Sequence, residues 1–238
     1  MEGLSYNKKP NIENIEQVPI AYSEVVIDND YLQKNLTKGG GLRMKGGHAN
    51  WNGTVELMRY SISENLSPEH QEFVQDKIEK LHAGQEKTYQ HEAHHIRNRE
   101  HGLTPHVAAT NLREFLSFRV LDELSAFSIG ELYNQEITAE NILTAIRSSQ
   151  QKIIDSYYGQ PFIDEAKWYI NHHKEKQDIF SRSINTETYH AILRQYFNFN
   201  QIDMLNTLNQ SGDMSEFTII INDLIMRLDS ILEQVQTS

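Results

Sequence analysis

Two histidines four positions apart, in His91-Glu92-Ala93-His94-His95, restrict this chain more than any other feature, because they act together only if the segment is helical. On a helix, positions i and i+4 share a face, so His91 and His95 each offer a ring nitrogen to one tetrahedral cation. Glu92, turned by about 100° from His91, falls at the edge of that face, beside a water on the metal rather than on the metal itself. Tyr89, Ala93 and Ile96 follow 3-4 spacing on what is then a buried stripe, and the segment from about 86 to 98 contains neither Gly nor Pro. His94 lies one position off the histidine face and reads as structural or as a partner of the ligands.

The chain has no cysteine, so disulfides and thiolate sites are excluded and any metal is held by His, Asp or Glu. A third ligand is needed, and two residues present themselves. Glu123 stands in Leu121-Asp122-Glu123-Leu124-Ser125-Ala126, within a helical pattern from about 106 to 133 whose apolar surface includes Leu112, Phe115, Leu116, Phe118, Val120, Leu121, Leu124 and Phe127. The small Ser125 and Ala126 let this helix approach the first closely. His101 is the fallback, since His91 to His101 spells H-E-x-x-H-x-x-N-x-x-H, with Asn98 where the helix would have to turn into a left-handed conformation.

These residues resemble those of the zincin zinc metallopeptidases. His91 and His95 match the two zinc histidines of that family and Glu92 matches its general base. Glu123, in its D-E-L-S-A segment, looks like the third ligand of the gluzincin branch, although its separation from the histidines is longer than in thermolysin-like enzymes. His101 would match the third histidine of the metzincin branch, from which Asn98 departs where that branch uses Gly. Met204 and Met214 lie far downstream without the flanking residues of that branch's Met-containing turn. Glu123 is therefore preferred. The resemblance covers residues 91–126 and implies Zn2+ as cofactor and a peptide or protein as substrate.

Length and composition frame the site. With 238 residues, 38% hydrophobic and 23% charged, the chain can bury a sizeable core and is not of disordered composition. A net charge of −11, without clustered Lys and Arg, argues against nucleic acid as partner. No apolar run reaches the roughly 18–20 residues of a membrane span, and Met1 to Pro10 carry no apolar signal core. Absence of Cys suits a cytoplasmic or a secreted location equally.

The pattern along the chain is that of an α+β fold, mainly α, with a zincin-like N-terminal part at residues 1–136 and a helical C-terminal part at 137–238. Ile20 to Ile27 reads as a strand. Leu42 to Trp51 and Thr54 to Ile62 read as a hairpin, about 42–62, joined through Asn52-Gly53 as a type I′ turn and packed on the His-bearing helix. By the resemblance, its edge is a rest for an extended peptide. Ser67-Pro68-Glu69 marks a helix start. Helices are further expected near 138–157, 162–177, 186–197 and 215–236, with Asn198 to Gly212 as connection. The last carries Phe217, Ile221, Leu224, Leu228, Ile231 and Val235 in 4-3-4-3-4 order, a stripe for packing on its own chain or for a coiled-coil seam.

The functional expectation is a zinc metallopeptidase with Glu92 as base, His91, His95 and Glu123 on zinc, and Asn98 and Asp122 orienting the imidazoles. Tyr60, Arg113, Tyr169, His172, His173, Tyr189 and His190 are the donors available for the oxyanion, and the sequence does not choose among them. The alternative is a helical binding or scaffold protein whose metal site is structural or silent.

Overall fold

The β-branched run at Ile20–Ile27 forms strand β1 with the expected bounds. The computed structural model describes residues 18–37, 41–102, 104–199 and 202–237, so the reading of Met1 to Pro10 lies outside the described residues. Helix α1 (Asn29–Asn35), strands β2 (Gly47–Ala49) and β3 (Val55–Ile62), and helices α2 (Pro68–Ala83) and α3 (Gln85–Glu100) follow. Then come α4 (Pro105–Ala108), α5 (Leu112–Leu132), α6 (Ala139–Ser156), α7 (Gln160–His172) and α8 (Thr186–Tyr196). The short pair β4 (Asn198–Phe199) and β5 (Ile202–Asp203) precedes α9 (Met204–Ser211) and α10 (Met214–Gln236). The architecture is α+β and mainly α. Among the described residues no helix is long and apolar enough to cross a membrane.

By compactness the chain forms two units, one of residues 17–96 and one in which residues 97–238 carry the described part. In the first, the sheet order is β1-β3-β2, with β1 parallel and β2 antiparallel to β3. The hairpin is present but its first strand is shorter than expected, and its connection differs. Ala49 pairs with Val55, so Asn50 to Thr54 form the loop, and of these only Gly53 has positive φ, at 80°. The Asn52 side chain accepts from Thr54 N at 3.2 Å and Thr54 Oγ1 at 2.7 Å, a local bond that replaces the two-residue I′ turn.

The N-terminal part of α3 packs on this sheet. Tyr89, Ala93 and Ile96 join Val18, Val55 and Leu57 in one apolar cluster, and Tyr89 donates to the Val18 carbonyl at 3.1 Å. Close approach is permitted by Gly46 and Gly47. A Cβ on Gly47 would lie 2.7 Å from the Glu56 carbonyl oxygen and 3.0 Å from Leu57 Cδ2. Gly47→Ala is therefore expected to lower stability by about 1–3 kcal/mol, read as a shift of the urea midpoint. Unchanged stability would mean that β2 and β3 do not approach as described.

The second unit is built around α5, which is buried nearly along its whole length. A helix with apolar residues on all sides belongs in a core. One apolar cluster joins Leu112, Phe115, Leu116, Leu121 and Leu124 of α5 to Ile142 and Ile146 of α6, Phe162 and Tyr169 of α7, Tyr196 of α8, Leu208 of α9 and Leu224 and Leu228 of α10, so residues on either side of position 136 share a core. The six stripe residues of α10 are all buried in this cluster, which assigns the stripe to intrachain packing.

Two helix expectations are corrected. The helix placed over about 106–133 is broken, because Asn111 caps α5. Its side chain accepts from Glu114 N at 2.9 Å, and Glu114 accepts in return from Thr110 N at 2.8 Å and Thr110 Oγ1 at 2.6 Å. The stretch taken as connection contains α9, which is capped by Asp203 accepting from Asn206 N at 2.9 Å and ends at Gly212 with φ 86°.

Candidate metal centre

Helix α3 contains no Gly or Pro and spans both histidines, so their one-turn spacing is realised in the fold. His91 and His95 are half-buried, with rings 4.7 Å apart at 87° and Nε2 atoms 3.2 Å apart. Two nitrogens on one tetrahedral zinc at ordinary bond lengths stand about 3.4 Å apart, so the pair is close to ligand spacing. Ligand atoms of His91, His95 and Glu123 all lie within 4.8 Å of one another. Two imidazoles and one carboxylate are a donor set suited to zinc, and the residues present fit such an ion.

Glu92 is half-buried beside His91, and His94 is 1% exposed. The remaining sequence-derived residues fall as follows. Asn98, on the last turn of α3, donates through Nδ2 to Oδ1 of Asp122 at 2.8 Å, and both are buried. The two residues expected to orient the imidazoles are thus bonded to each other, and Asp122 is the sequence neighbour of Glu123. His101, the fallback ligand, is exposed and lies outside the cluster found among the described residues. The reason is that α3 runs on through Asn98 in helical conformation, and the chain turns only at Gly102, where φ is 73°.

Two residues not singled out from the sequence accompany Glu123. Arg119 lies on α5 at i−4 and i−3 from Glu123 and Asp122, and donates to Glu123 Oε1 at 2.8 Å and to Asp122 Oδ2 at 3.1 Å. Burial alone would pull its guanidinium down, but Glu123, Glu165 and Asp122 outweigh it and hold Arg119 well above its ordinary value, so it stays charged. Tyr196, 1% exposed, is pushed well up, first by burial and then by the Asp122 charge, with Arg119 opposing and Glu123 adding to the rise. Its hydroxyl is a neutral group close to the two carboxylates. The R-x-x-D-E spacing was the available signal for Arg119; nothing local pointed to Tyr196.

Several oxyanion donors considered from the sequence have other contacts. Tyr60 Oη exchanges bonds with Lys45 N and O, both at 3.0 Å. Arg113 pairs with Asp229. Tyr169, pushed up to about 12 mainly by burial, donates to the Ala109 carbonyl at 3.1 Å and accepts from Lys176 at 2.7 Å. His172 Nδ1 lies 2.8 Å from the Trp168 carbonyl.

No protein-family model matches the chain, and no curated protein or solved structure is significantly similar to it.

Proposed function

We propose that this chain is a zinc-dependent peptidase of zincin type, gluzincin-like in its ligands, that hydrolyses peptide bonds. The observation that carries the reading is the convergence of His91, His95 and Glu123 with Glu92 adjacent in sequence to one of the ligands. Bound there, zinc would polarise the scissile carbonyl and bring the pKa of water towards about 7. Glu92 accepts the proton released by the attacking water and returns it to the departing amine. Glu123 supplies the single negative charge among the three ligands, and Asn98 and Asp122 stiffen the end of α3 against α5.

The sheet supplies a means of holding substrate. Strand β2 is one of the two outer strands in the order β1-β3-β2, and its edge, unpaired among the described residues, would offer main-chain groups to an extended peptide. The three candidate ligands found among the described residues are the number that catalytic zinc sites commonly use.

Elemental analysis of protein purified without added metal tests the reading. Near-stoichiometric zinc is expected in the native chain and in His101→Ala, and its loss in Glu123→Ala. Zinc retained in Glu123→Ala and lost in His101→Ala would transfer the third ligand to His101. No zinc in the native chain, even when zinc is offered, would overturn the proposal.

A further inference from the structure

Strand β1 is the other outer strand of the sheet, and its backbone groups divide into an inward and an outward set. The Pro19 and Ile27 carbonyls accept from Val55 N and Ser63 N, at the two ends of β3, at 2.8 and 3.0 Å. Successive residues of a strand alternate, so Ile20, Tyr22, Glu24 and Val26 turn their N–H and C=O groups to the outer edge. Among the described residues no strand pairs with that edge. The side chains of these four residues share one face, where Ile20, Tyr22 and Val26 are 45%, 48% and 56% exposed. The strand carries neither Lys nor Pro, the usual guards of an edge, so it is a template for another strand.

We propose that β1 pairs antiparallel with β1 of a second copy of this chain, about a two-fold axis through Ser23. The sequence of the strand selects this occupant and this register. Ile20 then lies opposite Val26 of the second copy and Tyr22 opposite Glu24, so outward backbone groups meet outward ones and apolar side chains meet at both ends. Moving the axis by one residue, to Tyr22 or to Glu24, sets Ile20 against Glu24 or Glu24 against itself. Charge supports the same register. Arg59, the β3 neighbour of Glu24, holds its guanidinium 3.6 Å from the centre of the Tyr22 ring and 4.0 Å from Glu24. Opposite Tyr22, Glu24 of the second copy comes to that guanidinium, and by symmetry each copy offers a cation to the acid of the other.

The test is sedimentation equilibrium of the full chain over a range of concentrations, with circular dichroism confirming the fold. A monomer–dimer equilibrium is expected. Glu24→Pro is expected to weaken the dimer about 10-fold or more, because it removes an outward N–H and leaves the donors facing β3 in place. Glu24→Arg is expected to weaken it as well, and Arg59→Glu added to that variant to restore it. The chain has no cysteine, so Ser23→Cys introduces a single thiol. On the axis, in a non-hydrogen-bonded pair, the Cα atoms of position 23 stand about 4.5 Å apart, within disulfide reach. Mild oxidation is expected to give a covalent dimer with Ser23→Cys and none with Val26→Cys, which faces Ile20. A monomer at every concentration overturns the proposal, as does a dimer that tolerates Glu24→Pro and does not cross-link at position 23. Should Glu24→Pro not fold, a dimer indifferent to the charge exchange and without the cross-link overturns it. A chain that stays monomeric and binds an extended peptide at this edge overturns it too, and gives the edge to the peptide.

Discussion

Glu92→Gln is expected to keep near-stoichiometric zinc and to lose about 100- to 10,000-fold in the rate of peptide hydrolysis. The substitution preserves size and hydrogen-bonding capacity and removes only the ability to accept a proton. On helix α3, Glu92 sits next to His91 in sequence and is turned from it by about 100°, so in the proposed reading it would serve a water rather than bind the ion. The measurement is zinc content by elemental analysis together with turnover of a peptide library at saturating zinc. Loss of zinc in this variant would make Glu92 a ligand. Full activity with zinc retained would sink the assigned mechanism, while leaving the ligand set untouched.

The largest effect on stability is expected from Phe115→Ala. Phe115 is 1% exposed and its ring stacks on that of Tyr169, with centroids 4.4 Å apart and an interplanar angle of 13°. Truncation removes a buried ring from the cluster formed by α5, α6, α7 and α10, where rigid neighbours cannot collapse into the space. A loss of about 3–5 kcal/mol follows, a large share of the roughly 5–15 kcal/mol typical of a folded domain. Urea unfolding followed by circular dichroism measures it, and a loss below about 1 kcal/mol would contradict the packing of α5 against α7. Phe115 also precedes Arg119 by one turn, so the contacts that hold this end of α5 support the segment that carries the carboxylates.

Buried polar residues on α5 separate its two tasks. Most of the helix is apolar and explained by the core, but Asp122 and Glu123 are buried at 6% and 3% exposure. Burying charge costs free energy unless it is paired, and such positions commonly mark function. Ser125 and Ser128, buried on the same helix, are accounted for locally, since their hydroxyls donate to the Asp122 and Leu124 carbonyls at 2.9 and 2.6 Å. The two carboxylates are instead paired with a charge: Arg119 of the same helix donates to both, and Asn98 of α3 donates to Asp122.

Helix α3, its histidine pair and its buried stripe of Tyr89, Ala93 and Ile96 were legible in the sequence, as were β1, α2, α6 and the apolar stripe of α10. Each rests on spacing within one element, and periodicity is a local property. The start of α5 and the existence of α9 were missed because caps at Asn111 and Asp203 act over three residues and were outweighed by longer patterns. The loop at Asn50 to Thr54 was misread for the same reason, a side-chain bond competing with the turn that Asn-Gly usually makes.

What only the tertiary structure decided was which distant residues meet. The sequence left Glu123 and His101 both open as third ligand; the helix continues past Asn98, and Glu123 is the residue found with His91 and His95. The Arg119 grip on Glu165 spans 46 positions and the Asn98 bond to Asp122 spans 24. Helical spacing fixes the direction of a side chain from its own axis, whereas the meeting of two side chains depends on how helices pack, which no local pattern encodes.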